Sequence, residues 1–120
     1  MEPETITGFV TVEPVVLETI ARLTTLGVSG VAGIAEREVD RLLGTTGRSV
    51  AVQVREGQVL VDLHILAGPD QSLLQLGRRV QHEVIRAVRQ MIGMPVKAVN
   101  VHIEDVVYPP AETWPGDATA

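Results

Sequence analysis

The chain has 120 residues, 45 % of them hydrophobic and only 2 % aromatic, with a formal charge of −5 and no cysteine. That length suits one domain with a modest aliphatic core. The composition excludes disulfides and thiolate metal sites, and it leaves almost no aromatic surface for stacking single-stranded nucleic acid.

No run reaches the roughly 20 apolar residues of a membrane-spanning helix. The acidic start MEPETIT lacks the features of a signal peptide, so a cytoplasmic protein is expected. Charge is unevenly spread. Residues 1–18 and 104–120 each carry four acids and no base, whereas residues 70–97 hold five bases against two acids. Segregation of this kind marks either a solvated face or an interaction surface.

Gly8-Phe9-Val10-Thr11-Val12 alternates and predicts a short strand. Glu13-Pro14 then opens a helix over about 14–26, because proline suits the first turn. Val16, Ile20, Leu23 and Gly27 share one side of it, with Glu18, Arg22 and Thr25 opposite. Gly27-Val28-Ser29-Gly30 has the G-x-x-G spacing of a phosphate-gripping loop. It brings no basic residue, and a helix stop with close backbone packing explains the glycines more simply. Ile34 to Val39 is a weakly alternating candidate strand, and Leu42 to Gly47 reads as a loop.

Ser49 to Gly68, SVAVQVREGQVLVDLHILAG, is two alternating runs around Glu56-Gly57. A two-residue turn there pairs Arg55 with Gln58, Val54 with Val59, Val52 with Val61 and Val50 with Leu63. Six aliphatic side chains then share one face, and a slip of one residue would scatter them. A half-buried antiparallel hairpin over about 49–67 is therefore expected.

Gly68-Pro69-Asp70 breaks the strand, with Asp70 the expected N-cap of a helix over 71–92. Leu73, Leu76, Val80, Val84, Ala87 and Met91 form its apolar side, with Leu74, Ile85 and Ile92 on a second apolar edge. Arg78, His82, Arg86 and Arg89 line the opposite side. Gly93 ends the helix, and Lys97 to Glu104 alternates as the last strand. The tail 108–120, Pro-rich and acidic, is expected to be disordered. The sum is a single α+β domain over 1–107. It has a small, mainly antiparallel sheet of three to four strands, with both helices packed on one face.

Several pieces in this order resemble the alkaline shock protein family of bacterial envelope stress response proteins. They are GFVTVEPVVLETIARLT, GVSGVAGIAER, VLVDLHILAG, QLGRRVQHEVIRAVRQMIGMPV and VKAVNVHIEDV, together covering about residues 6–107. The resemblance implies an abundant, cytoplasmic, non-enzymatic protein of cell-envelope homeostasis. It also implies self-association and attachment to the membrane by a partner protein, as in some members of that family. It transfers no catalytic residue, metal ligand or cofactor.

The residues themselves bear on three kinds of site. His64 and His102 fall on outward strand positions near Asp62, Asn100 and Glu104, where a metal or acid–base site would need them. Period-2 polarity is, however, what any solvated sheet face shows. The arginines of the second helix, with Lys97, offer phosphate contacts, and a KH-like RNA-binding module using that basic face is the alternative reading. Protein contact is the favoured one. Its candidate surface residues are Arg78, His82, Arg86, Arg89, Leu74 and Ile85 on the helix, and Leu60, His64 and Leu66 on the sheet. No catalytic residue, cofactor or metal is expected.

Overall fold

The computed structural model describes residues 6–35 and 49–108. In chain order these form α1 (Pro14–Leu26), β1 (Val31–Ile34), β2 (Val50–Arg55), β3 (Gln58–Ala67), α2 (Leu73–Ile92) and β4 (Val96–Val106). This is the expected α+β arrangement of two helices on one face of an open four-stranded sheet.

The hairpin has the register that the alternation dictates. Val50 lies opposite Leu63, Val52 opposite Val61, Val54 opposite Val59 and Arg55 opposite Gln58. Glu56 and Gly57 both take positive φ, 51° and 75°, as a primed two-residue turn requires. Along β3 burial alternates without a break. Val59, Val61, Leu63, Ile65 and Ala67 are fully buried, and the residues between them are half-buried on the other face.

β3 is the strand to which all the others bind. On one edge β2 pairs with residues 58–63, and β1 pairs antiparallel with residues 65–67. His64 joins the two, its N–H bonding Ser49 and its carbonyl accepting from the N–H of Ala35. On the other edge β4 runs parallel to β3, with α2 as the crossover. Two of the three pairings are antiparallel, but the longest ladder is the parallel one. A parallel neighbour needs a long connection, and the 20-residue α2 supplies it.

α2 starts two residues later than its pattern suggested. Asp70 sits in the turn at φ 59°, and Ser72 is the N-cap, its hydroxyl accepting from the Gln75 N–H at 3.2 Å. Gly93 closes the helix in the left-handed conformation. The buried stripe is Leu76, Val80, Val84 and Val88. Ala87 and Met91 were expected there; Ala87 is half-buried beside the stripe, and Met91 is exposed.

α1 is also rotated from its expected phase. Leu17, Ile20, Ala21 and Thr25 face the core, while Val16 and Leu23 are exposed. Thr25, expected on the polar side, is fully buried instead, and with Ala21 its small side chain lets α1 pack closely against α2, β1 and β2. The predicted strand over 8–12 is absent: residues 6–12 run without strand pairing. Of the candidate strand Ile34–Val39, Ile34 is the last residue of β1, whose pairing with β3 begins earlier, at Val31. Residues 36–39 of that candidate, the loop at 42–47 and the tail beyond Tyr108 lie outside the described residues.

Thr25 is the one core member with an unmet polar group among the described residues. Its Oγ1 is fully buried and has no hydrogen-bond partner. Burying a lone hydroxyl costs about 1–3 kcal/mol, and valine has nearly the same shape. Thr25→Val should therefore raise stability by about 1–2 kcal/mol, seen as a higher urea midpoint at unchanged slope. A lowered midpoint would show that the hydroxyl is satisfied in solution.

Candidate functional site

The helices cover only one face of the sheet. The other carries the alternate residues of β3: Gln58, Leu60, Asp62, His64 and Leu66. The parallel register sets Asp62 beside Asn100 and His64 beside His102. Like residues therefore meet side by side. The two imidazole rings stack with centroids 4.4 Å apart and planes 10° from parallel.

Each ring also has a carboxylate partner. His64 Nδ1 pairs with Glu104, and His102 Nε2 lies 3.7 Å from Asp62 Oδ1. Asn100 Nδ2 donates to the same Asp62 oxygen at 3.2 Å. His64 is the more sheltered ring at 18 % side-chain exposure, against 52 % for His102. Imidazole–carboxylate contacts near the surface add little to stability. Among the described residues no group of three or more His, Cys, Asp or Glu is arranged to hold a metal ion. The face offers imidazole edges, carboxylates and a carboxamide between two half-buried leucines, Leu60 and Leu66. That mixture suits contact with another surface: apolar area for affinity and polar groups for orientation.

The second group of candidates lies on the far side of the molecule. Arg78, His82, Arg86 and Arg89 are all exposed along the outer side of α2. Arg78 donates to Gln81 Oε1 at 3.1 Å, and Arg79 reaches Gln71 Oε1 at 3.4 Å. A groove of about 650 Å³ separates this side from the end of α1 and is lined by Leu23, Val28, Ser29, Arg78, Arg79 and His82, among others. Leu74 is 71 % exposed, whereas Ile85 is half-buried and packs against the core.

Sequence reasoning placed the imidazole cluster but missed the groove, because the groove depends on the rotated phase of α1. It also missed a smaller depression of about 300 Å³ beside β4, lined by Leu73, Leu74, Gly77, Gln81, Val101 and Ile103, among others. Nothing in a single chain's pattern signals a cavity between a helix and a strand edge.

The G-x-x-G segment is a turn between α1 and β1, leading into a strand rather than a helix. The Gly30 carbonyl accepts from the Gly68 N–H at 2.8 Å and from Gln71 Nε2 at 2.9 Å. These bonds tie two loops together. No helix among the described residues is long and apolar enough to cross a membrane.

Comparison with known proteins gives consistent matches. The model of the alkaline shock protein 23 family, described as having cell envelope-related function, matches residues 2–108. The uncharacterized protein Spy1535 of Streptococcus pyogenes is 28 % identical over 103 residues, covering 83 % of this chain and 80 % of that one. Among solved structures, the copper form of the MamM CTD superposes with a TM-score of 0.53. It is 16 % identical, covering 87 % of this chain and 90 % of that chain, so the likeness concerns the fold alone.

Proposed function

We propose that this protein, which belongs to the alkaline shock protein 23 family of cell envelope-related function, works without catalysing a reaction. It acts in the bacterial cytoplasm through contacts with a protein partner or with further copies of itself. Those contacts serve the cell's response to envelope stress, and a membrane-anchored partner would bring the domain to the envelope.

One observation carries the reading. The face of the sheet opposite the helices is uncovered among the described residues and combines Leu60 and Leu66 with the His64–His102 cluster. A solvated face would be more polar, and a core face would be wholly apolar. The acid–base alternative has less support, since the imidazoles lie on an open sheet face rather than in a cleft that excludes water.

The test is genetic complementation under envelope stress. The wild-type chain and the double variant Leu60→Asp, Leu66→Asp are expressed in cells lacking the protein. Both positions lie outside the fully buried core, so the variant should keep its circular dichroism spectrum and fold. It is expected to lose complementation. Full complementation by a folded variant would exclude this face as the working surface.

A further inference from the structure

We propose that residues 6–12 of one copy add as a strand to the free edge of β4 in a second copy. The inference rests on the self-association half of the proposed function and supplies its geometry.

The donor is a segment that pairs with nothing among the described residues; it bends at Gly8, φ 110°, and would straighten on pairing. Ile6-Thr7-Gly8-Phe9-Val10-Thr11-Val12 has β-branched and aromatic residues, no charge and no proline. Free edges and arms ordinarily carry charges or proline that deter pairing, and this one has neither. Ile6, Phe9 and Val10 are 80 %, 90 % and 94 % exposed. A single exposed apolar residue is ordinary, but three in five consecutive positions, with Val12 also exposed, call for a covering surface. No backbone hydrogen bond of residues 6–12 to the described part of the chain is present.

The acceptor is an edge without a neighbour. β4 spans 11 residues and pairs only with β3 among the described strands. One of its carbonyls, that of Val99, takes the Gln81 carboxamide at 3.0 Å. Beyond it, Val101 and Ile103 border the 300 Å³ depression whose other wall is Leu73, Leu74 and Gly77 of α2. An added strand places alternate side chains on the helix side of the sheet. Ile6, Gly8, Val10 and Val12 are alternate residues, so the three apolar side chains would lie over that depression and cover Leu74. Main-chain bonds supply the affinity of such an addition, and the side-chain pocket supplies its selectivity.

The arm of the same molecule is poorly placed for this role. α1 begins two residues after Val12 and packs against α2, β1 and β2. α2 therefore lies between the root of the arm and β4. Exchange between copies meets both needs, and reciprocal exchange closes a twofold dimer.

Sedimentation of the full chain across concentration is compared with that of Val10→Pro. The substitution removes a main-chain donor outside the core, so the fold should be unchanged. Wild type is expected to associate, and Val10→Pro to raise the dissociation constant by roughly tenfold or more, about 1.4 kcal/mol per decade. A peptide of residues 5–13, added to the chain lacking residues 1–12, should slow amide exchange at Val101 and Ile103. A wild-type monomer at all concentrations, Val10→Pro associating as tightly as wild type, or protection at β2 instead of β4 would each overturn the proposal. Loss of complementation by the Leu60, Leu66 variant with association intact would leave this proposal standing, so the two readings fail separately.

Discussion

Leu63→Ala should destabilise the protein by about 2–5 kcal/mol, whereas Leu60→Ala, three residues away on the same strand, should cost well under half as much. Leu63 is fully buried at the middle of β3, between Val50 on one neighbouring strand and Val101 on the other. Removing its isobutyl group forfeits the transfer energy of the lost carbons. It also leaves a cavity where two strands and the helix layer meet, and the strand pairings prevent collapse. Leu60 points to the open face, where water and side-chain motion fill any gap. Since small domains are stable by only about 5–15 kcal/mol, Leu63→Ala removes a large share of the total. Urea denaturation of both variants checks the contrast. Equal losses would mean that the open face is covered in solution, which would directly support a docked partner there.

The hairpin and its face were legible because two independent constraints agree. Period-2 alternation names the buried residues, and Glu56-Gly57 fixes the register that brings them together. The cluster at His64 and His102 was legible only conditionally. It required β3 and β4 to be neighbours, and nothing local specifies that a strand pairs with another reached through a 20-residue helix. The helix phases were less secure. In α1 the rows 16-20-23-27 and 17-20-21-25 have similar spacing, and large residues favour the first. Packing favours the second, since Ala21 and Thr25 permit close approach and leave Leu23 to line the groove. In α2 Val88 replaces the expected Ala87 and Met91 because a straight helix on the sheet follows the i+4 row from Leu76. Residues 8–12 failed as a strand for a different reason. Their propensity is intact, but a strand is a paired object and no described residue of the chain pairs with them.

A two-layer molecule of this kind has two outer faces with different chemistry. The sheet face mixes leucines with imidazoles and carboxylates; on the helix face α2 carries four arginines beside a groove. Each is built from the residues left over once alternation or helical period has assigned the core. Residues on these faces contribute less to stability than those of the core. The Leu60, Leu66 and Val10 variants can accordingly be read at constant fold.

The loops that join the layers have no such freedom. Gly30→Ala should cost about 2–4 kcal/mol, summing backbone strain with the loss of two or three hydrogen bonds. Gly30 has φ +102°, a conformation that alanine adopts poorly. A Cβ there would overlap the Gln71 carboxamide oxygen. Gln71 cannot simply swing aside, because its Nε2 donates to the carbonyls of Gly30 and Gly68 at 2.9 and 2.8 Å. Together with the Gly68 N–H to Gly30 bond, these hold the α1–β1 turn against the β3–α2 turn. Gln71→Ala alone should cost about 1–2 kcal/mol, since it removes the two donors and leaves the φ unchanged. The double variant should then cost clearly less than the sum, because alanine at 71 takes away the group that a Cβ at 30 would displace. A double-mutant cycle by chemical denaturation measures that coupling. Strict additivity would show that backbone strain at Gly30 is the whole effect and that Gln71 bonds the two turns without occupying the Cβ position.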